Sequence, residues 1–520
     1  MQNKSTYGPS VFASVLLCGL LAFIYPYYQY YVDPDATAYL TIAKRYAGGD
    51  YHRAVNGYWS PWSCWLTALL IKGGVAAMRA AIIINTLAAT GWLFITQSFF
   101  IKFKVRRGVQ LLLNITLSLF LVYAVFWQSF ADLWEVFFLL CSLRLMLVEN
   151  YEHKAGLWVL NGIVGAFAYF SKAYAFPFFI LNVVCCGYLI TNGKENTSQW
   201  LKMSIVPVVV MIACSMPWII ALHNKYGMWM TSTAGTLNRS WYLVGHPFWE
   251  RDIEFLVPPI YMNSPYYWED PYLVNGETPQ FYSSAKLFAL QIVKCFYNLL
   301  KMVKSMSELS VLFVFTSLMA VGSFFSPRLR PQFGEQLRVV ILSFLLFPLA
   351  FMLVNFEPRY IWYMLPLSMI LGVLMMEKYI AGAKLKKWLL AAFCATYLVT
   401  PLWGLKDMYR AGYAEYELAG EMKAMNIKGS FTANVVYGPQ MQNVTRLAYF
   451  SGNSYYNIPK LDLTHQQLLA EMRRYRVKYY FHYSSDPGGG NIVFADEQGQ
   501  PFPEVSFGRL KGLKVFLVNP

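Results

Sequence analysis

Residues 32–61 read VDPDATAYLTIAKRYAGGDYHRAVNGYWSP and directly follow the first long apolar segment of the chain. Asp33 and Asp35 therefore stand at the end of a predicted membrane span. A carboxylate at a membrane surface keeps its charge only where water or a partner solvates it. Partial dehydration raises the pKa of a carboxyl group toward the range of a general base. A structural interpretation stays open beside this one, since Asp33 before Pro34 is typical of a helix N-cap.

The composition is that of a membrane protein with several spans. Of the 520 residues, 57% are hydrophobic and only 14% are charged, whereas about a quarter of the residues of a soluble protein are charged. The formal net charge is +15, but the basic residues cluster in short loops, as the positive-inside rule describes. This placement explains the charge without nucleic acid, for which we find no motif. The eight cysteines show no disulfide or zinc spacing.

Hydropathy and loop charge predict about eleven transmembrane helices, because a span needs roughly 20 apolar residues. They are 11–30, 77–101, 109–126, 136–148, 157–170, 175–190, 203–222, 309–325, 339–354, 361–376 and 389–405. Residues 62–71 and 285–306 are predicted to lie along the membrane interface instead. The run KFKVRR at 102–107, together with Arg328 and Arg330, marks the cytoplasmic side. The N-terminus is then cytoplasmic, and the outer loops are 31–76 and 223–285.

The last part of the chain, residues 406–520, has the charge density of a soluble domain and is predicted to be separate from the membrane domain 1–405. Its predicted helices are 413–427 and 466–476, and its predicted strands are 431–437, 477–482 and 513–518. Thr464 is a candidate cap for the second helix, and DPGGG at 486–490 is a turn. The fold class is therefore a membrane all-α protein with a small extracytoplasmic α/β domain at its C-terminus.

The polar groups that interrupt the apolar pattern all fall on the predicted outer face. They are Asp33 and Asp35, the stretch 128–135 from Gln128 to Glu135, Lys172, the loop 223–285 and the stretch 357–360. Independent structural accidents would scatter over both faces, so we interpret these groups as one site. The loop 223–285 is rich in Pro, Tyr and Trp, which suits either a surface that stacks on sugar rings or an interfacial aromatic belt.

In their order along the chain, these motifs resemble those of the GT-C membrane glycosyltransferases. The most similar branch is that of the protein O-mannosyltransferases and the lipid A aminoarabinose transferase. The resemblance rests on the first-loop acid with Tyr39, AKR at 43–45 and GG at 48–49, then YWSP at 58–61, YFSK at 169–172, EPRY at 357–360 and the α/β tail. It covers essentially the whole chain. The first loop has Asp-Pro-Asp where the mannosyltransferases have adjacent Asp-Glu, and no large carbohydrate-binding insert is present, so the resemblance does not extend to a mannose donor or a protein acceptor.

The resemblance implies an inverting transfer of a sugar from a polyprenyl phosphate to a hydroxyl group at the extracytoplasmic face. The membrane is, by preference, a bacterial inner membrane, and the acceptor is a lipid, a glycan or a protein. Asp35 is the favoured general base, because its offset to Tyr39 and Ala43 fits the family motif better than that of Asp33. Asp33 then orients Asp35 or binds a metal.

The same resemblance places Lys172, Arg359 and Tyr360 at the donor phosphate. Arginine suits bidentate phosphate contact and lysine suits a point charge. Tyr360 has the alternative of anchoring the end of a span. Glu357 is expected to position Arg359 or to close the site, with a surface capping acid as its alternative.

Glu135 and Tyr58 complete the predicted site as supporting residues, with Asp132 beside Glu135 as a further candidate acid. Asp33 and Asp35 are also candidate ligands for a divalent cation, since such cations prefer oxygen ligands. The chemistry works without a metal as well, so no cofactor is assigned. His52 and His246 are interpreted as loop histidines rather than ligands.

Two other function classes remain open on the sequence alone. A lipid-linked sugar flippase or transporter would commonly show internal repeats and ionisable groups near mid-membrane, whereas the ionisable groups here lie at the ends of spans. A glycan polymerase or ligase of another fold would share the large outer loop, but would more usually lack the acid directly after the first span.

Overall fold

A computed structural model of the chain describes residues 6–127, 130–246, 256–274, 278–326, 334–435, 439–457, 463–484 and 492–519. Gln128, Arg328, Arg330, the end of the strand predicted at 431–437 and the turn predicted at 486–490 lie outside the described residues.

Helices dominate the first half of the chain. Their bounds are α1 Gly8–Tyr28, α2 Pro34–Ala47, α3 Tyr51–Ala54, α4 Pro61–Lys72, α5 Ala77–Lys102, α6 Arg107–Phe126, α7 Phe130–Met146, α8 Ala155–Ser171, α9 Ala175–Ile190 and α10 Thr197–Tyr226. Helices α2 to α4 belong to the predicted first outer loop, between the long apolar helices α1 and α5.

The second half contains further helices and a small sheet. The helices are α11 Ala234–Val244, α12 Pro271–Val274, α13 Ala285–Leu309, α14 Val311–Phe325, α15 Glu335–Leu346, α16 Met364–Tyr379, α17 Ala383–Met408, α18 Tyr413–Ala424, α19 Pro439–Ser451 and α20 His465–Arg474. The strands are β1 Ser430–Ala433, β2 Ser454–Tyr455, β3 Tyr479–Tyr483 and β4 Leu513–Leu517. Helix α11 was not predicted and gives structure to part of the segment 223–285.

The chain is an integral membrane protein. Among the described residues, 6 helices are long and apolar enough to cross a membrane, and α8, α9 and α14 are shorter apolar helices. The count of eleven spans, like the orientation of the termini, stays a prediction. The span predicted at 339–354 is interrupted, because α15 ends at Leu346 and a separate 3-10 turn covers Ala350–Leu353.

Helix α2 begins where the sequence analysis placed its cap. The Asp33 carboxylate accepts a hydrogen bond from the Ala36 N–H at 2.6 Å, and Pro34 occupies the first helical position. This arrangement satisfies a donor that a helix N-terminus leaves without an internal partner. The N-cap interpretation of Asp33 is therefore confirmed. It also fixes Asp35 in the first turn of α2, with its backbone held by the helix.

The C-terminal strands form one sheet in the order β2-β1-β3-β4. Strand β1 is parallel to β2 and β3, and β4 is antiparallel to β3. Thr464 caps α20 through a capping box with Gln467, as predicted. Strand β2 and helix α19 were not predicted. Strand β2 has only 2 residues. The run Asn-Val-Thr gives the middle of α19 weak intrinsic helix propensity, so burial of residues such as Val444 and Leu447 in the core decides its structure.

The C-terminal region packs directly on the connection between α1 and α2. The Arg446 side chain on α19 donates from Nε to the Val32 carbonyl oxygen at 2.6 Å. Gly412, just before α18, has a φ of +85°, and a Cβ there would lie 2.0 Å from the Tyr30 carbonyl oxygen. Only glycine permits this approach. The C-terminal region is thereby fixed over the start of α2.

Part of the segment 223–285 lies between the C-terminal region and the start of α2. Tyr455 in β2 donates its N–H to the Pro265 carbonyl oxygen at 2.7 Å, and the Tyr266 hydroxyl donates to the Pro34 carbonyl oxygen at 2.9 Å. The rings of Tyr266 and Tyr267 are buried in the core of the C-terminal region. The loop segment 256–274 therefore connects the C-terminal sheet to the start of α2.

Candidate active site

Asp35 is the centre of the candidate site. Its Oδ2 atom lies 3.0 Å from the Arg359 guanidinium, and its Oδ1 atom accepts a hydrogen bond from the Trp268 indole at 3.1 Å. The carboxylate is half-buried. Each of its two oxygen atoms thus has one fixed donor, while part of the group stays accessible to a substrate.

Arg359 belongs to a short 3-10 turn, Pro358–Ile361, between α15 and α16. Its Nε atom lies 2.8 Å from the Glu357 carboxylate and 3.9 Å from that of Asp132. Burial by itself would lower the pKa of Arg359, but the carboxylates of Glu357, Asp132 and Asp35 raise it well above its ordinary value. The guanidinium is therefore a permanent cation in contact with three acids.

Lys172 is the second cation of the site and immediately follows α8. Its Nζ atom lies 2.5 Å from an oxygen of Asp132 and 3.6 Å from an oxygen of Glu135. Asp132 and Glu135 are three residues apart on α7, a spacing that puts both side chains on one helix face. Asp132 contacts Lys172 and Arg359 through different oxygen atoms and so bridges the two cations.

Two aromatic rings lie against the ammonium group of Lys172. Its Nζ atom is 4.5 Å from the ring centre of Tyr360 and 5.2 Å from that of Phe351. The two rings stack on each other with centres 4.2 Å apart. Cation–π contacts of this kind favour a desolvated cation. Tyr360 therefore contacts the predicted phosphate-binding lysine as well as following Arg359 in sequence.

Acidic groups outnumber basic groups in this site. Five carboxyl groups lie among three cations: Asp33, Asp35, Asp132, Glu135 and Glu357 among Lys172, Arg359 and Arg446. Burial and the neighbouring Asp35 carboxylate raise the pKa of Asp33 to about 7. Asp33 is thus partly protonated at neutral pH, which relieves part of the excess negative charge.

The carboxyl groups of Asp33 and Asp35 both have other partners in the structure. The Asp33 side chain caps α2, and both oxygens of Asp35 are engaged by Arg359 and Trp268. Within the described part of the chain, no group of three or more His, Cys, Asp and Glu side chains could hold a metal ion. A divalent cation held by Asp33 and Asp35 stays a prediction.

Aromatic side chains form a wall on one side of Asp35. The Tyr58 hydroxyl donates to Asn238 at 2.8 Å, and the Tyr58 ring packs edge-on against Trp268. Trp241 stacks on Trp268 with ring centres 5.5 Å apart. The His246 ring packs on Trp241 at 4.6 Å. Tyr58 therefore supports the site indirectly, because its ring packs against Trp268, whose indole contacts Asp35.

The sequence analysis missed two buried ion pairs and the indole beside them. Arg45 pairs with Glu269, and Lys225 pairs with Asp270 at 2.8 Å. These acids follow Trp268 directly in the run YYWEDP at 266–271. In this run, two adjacent acids follow three aromatic residues outside the predicted spans. A pair of nearby acids in the same kind of position identified the first loop as a candidate site. The same criterion would have identified the segment 266–271.

No protein-family model matches the chain, and no curated protein matches its sequence. Solved structures with a similar fold exist. The oligosaccharyltransferase of Archaeoglobus fulgidus in complex with Zn and sulfate has a TM-score of 0.55 at 12% identity, over 92% of this chain and 68% of the other. ArnT of Cupriavidus metallidurans bound to undecaprenyl phosphate has a TM-score of 0.55 at 12% identity, over 96% and 97% of the two chains.

A further structure extends this similarity. The archaeal oligosaccharyltransferase AglB of Archaeoglobus fulgidus, in complex with an inhibitory peptide and a dolichol-phosphate, has a TM-score of 0.53 at 11% identity, over 91% of this chain and 69% of the other. The resemblance to GT-C glycosyltransferases is therefore confirmed at the level of the fold.

Proposed function

We propose that the chain is a glycosyltransferase that moves a sugar from a polyprenyl-phosphate donor to an acceptor hydroxyl group at the extracytoplasmic face, with inversion. The observation that carries the proposal is the convergence of a carboxylate, Asp35, with two cations, Arg359 and Lys172, from three distant parts of the chain. The fold similarity supports it, since two of the similar structures hold undecaprenyl phosphate and a dolichol-phosphate.

Asp35 acts as the general base in this proposal. It takes the proton of the acceptor hydroxyl as the acceptor oxygen bonds to the anomeric carbon, and the bond from that carbon to the phosphate oxygen breaks on the opposite side. Asp33 suits the role less well, because its side chain is committed to the cap of α2. Asp33 instead acts on Asp35 through the electrostatic interaction between the two neighbouring carboxyl groups.

Lys172 and Arg359 stabilise the negative charge of the departing polyprenyl phosphate, as preorganised cations do for a developing charge. Both cations are paired with carboxylates in the structure, so the phosphate competes for them. Lys172 exchanges Asp132 for the phosphate, and Tyr360 supports the ammonium group during the exchange. Glu357 and Glu135 hold the two cations at the edges of the site.

We assign residues 1–405 to the membrane domain and residues 406–520 to an extracytoplasmic domain that covers the site. The contact between Arg446 and the Val32 carbonyl oxygen supports this assignment, because it fixes the C-terminal region beside the two first-loop acids. The N-terminus is cytoplasmic, the membrane is a bacterial inner membrane, and the acceptor hydroxyl belongs to a lipid, a glycan or a protein.

A transfer assay tests the proposal. The purified full chain is incubated with a panel of radiolabelled polyprenyl-phosphate sugars and membrane extract, beside Asp35→Asn. We expect label to move to an acceptor with the wild type, and the rate to fall about 10²- to 10⁴-fold in the variant, as for loss of a general base. Asp407→Asn is the control, since this carboxylate is exposed at the end of α17.

Two outcomes would contradict the proposal. Normal turnover by Asp35→Asn, folded as judged by its thermal unfolding, would remove the base assignment. No transfer from any donor, together with movement of intact labelled lipid between leaflets, would identify a flippase.

A further inference from the structure

Trp268 and Arg359 both make hydrogen bonds to the Asp35 carboxylate. The indole N–H reaches Oδ1 at 3.1 Å, while Arg359 reaches Oδ2 at 3.0 Å. Two donors on different oxygen atoms fix the rotation of the carboxylate plane. The orientation of the remaining lone pairs, which would accept a proton, is thereby fixed as well.

The Trp268 ring is itself held on several sides. Trp241 stacks on it, while Tyr58 and Trp59 pack edge-on with ring centres 5.6 and 6.2 Å away. The Trp59 indole also donates to the Trp268 carbonyl oxygen at 2.9 Å. Close packing of this kind leaves the Trp268 indole a single orientation.

The backbone after Trp268 is pinned by two buried ion pairs. Arg45 on α2 donates to both oxygens of Glu269, and the distance from its NH2 group to Oε2 is 3.0 Å. Lys225 and the Tyr226 hydroxyl at the end of α10 both donate to Asp270 at 2.8 Å. We call Arg45, Glu269, Lys225 and Asp270 the brace. The brace ties the loop to α2, which carries Asp35, and to α10.

We propose that Trp268 is a positioning residue for the reaction: its indole N–H, held in place by the brace, orients the Asp35 carboxylate toward the acceptor hydroxyl. The inference rests on the proposed function, in which Asp35 is the general base.

The test is Trp268→Phe in the full-length protein, assayed with the donor that the transfer assay identifies. Phenylalanine keeps an aromatic ring in the wall and removes the N–H donor. We expect kcat to fall about 10- to 100-fold, since a hydrogen bond to a charged group is lost, with KM for the donor unchanged. A purely structural loss would instead raise KM for the donor as well.

Trp241→Phe is the matched control, because it makes the same change in the ring stacked on Trp268. We expect this control to lower kcat much less than Trp268→Phe does. Equal falls in kcat for the two variants, or a rise in KM for the donor with Trp268→Phe, would reduce Trp268 to a packing residue and overturn the inference. Wild-type kinetics of Trp268→Phe would overturn it too, while the proposed function would stand provided that Asp35→Asn is inactive.

A measurement on the wild-type ring keeps the test independent of the folding of Trp268→Phe. In ¹⁵N-labelled protein, one indole N–H resonance should change its chemical shift in Asp35→Asn, because its hydrogen-bond acceptor loses its charge. The absence of any such indole resonance would contradict the inference.

Discussion

The active-site cluster and the brace are two groups of charged side chains on either side of Trp268, and they are built differently. In the brace, Glu269 and Asp270 have side chains that are 2% and 0% exposed, and each faces a cation of its own. In the active-site cluster, Asp35 and Glu357 are 29% and 41% exposed and share one guanidinium. The acids of the brace are dry, whereas the cluster has more acids than bases and is open at Asp35 and Glu357, although its Asp132 and Glu135 are 4% and 2% exposed.

This difference suggests that the charges of the brace stabilise the fold, whereas those of the active-site cluster are available for chemistry. A buried pair that loses one partner leaves an uncompensated charge, so matched buried pairs hold a structure in one arrangement. A cluster with more acids than bases has carboxylates that an incoming anion can displace. The structure thus provides an internal comparison between the brace and the active-site cluster, and three experiments test it.

The largest expected effect is on stability. Glu269→Gln removes one charge of the brace, and we expect the free energy of unfolding to fall by about 3–5 kcal/mol. Glu357→Gln makes the same change in the open cluster, and its exposure limits the loss to about 1 kcal/mol or less. Denaturant and thermal unfolding in detergent measure both variants. Equal losses would show that the two clusters do not differ as described.

The second effect is on the affinity for the donor. Substitutions of the ion-paired residues Lys172 and Asp132 should change this affinity in opposite directions. Lys172→Gln should weaken binding of a fluorescent polyprenyl phosphate by about tenfold or more, since a charged hydrogen bond is lost. Asp132→Asn should strengthen it, because the phosphate no longer competes with Asp132 for Lys172.

Lys301→Gln is the control for this pair, since Lys301 on α13 contacts Asn355 rather than the cluster. A titration of the lipid at constant detergent gives the three affinities. Weaker binding by Asp132→Asn would contradict the exchange of Asp132 for the phosphate.

The third effect is on the pH dependence of stability. The pKa of Asp33 is raised from its ordinary value of about 4 to about 7 in the folded protein. The folded state therefore holds the proton more tightly than the unfolded state, and the stability gained from this is complete below pH 4 and lost as the pH rises through 7. Asp33→Asn keeps an N-cap residue and should flatten the fall in thermal stability between pH 4 and 7. Parallel profiles for the two proteins would contradict the shift.

Long apolar runs could be predicted from the sequence because charges or turns bound them. The span predicted at 175–190 coincides with α9, and the span predicted at 77–101 differs from α5 by one residue. Elements that depend on tertiary contacts could not be predicted in this way. Strand β2 is 2 residues long and too short for a periodic pattern. Helix α11 is amphipathic, with Leu237 and Leu243 buried, but it is short and lies in a polar aromatic segment that does not resemble a helix as a whole.

The same distinction holds for the candidate site. Asp35, Lys172 and Arg359 follow or precede apolar spans, so their common face could be inferred from topology, and the structure brings them together. Their roles stay predictions. Trp268 and the brace lie inside a long loop, where hydropathy gives no position, and only the folded contacts relate them to Asp35.

The pair of Asp35 and Arg359 joins residues 324 positions apart. At a synthesis rate of about 5–20 residues per second, Asp35 leaves the ribosome about 16 to 65 s before its cation. During that interval the first outer loop enters the membrane without the partner that fixes its carboxylate. Under the proposed function, a nascent chain therefore cannot consume lipid-linked sugar, and the complete site forms only when insertion is nearly finished.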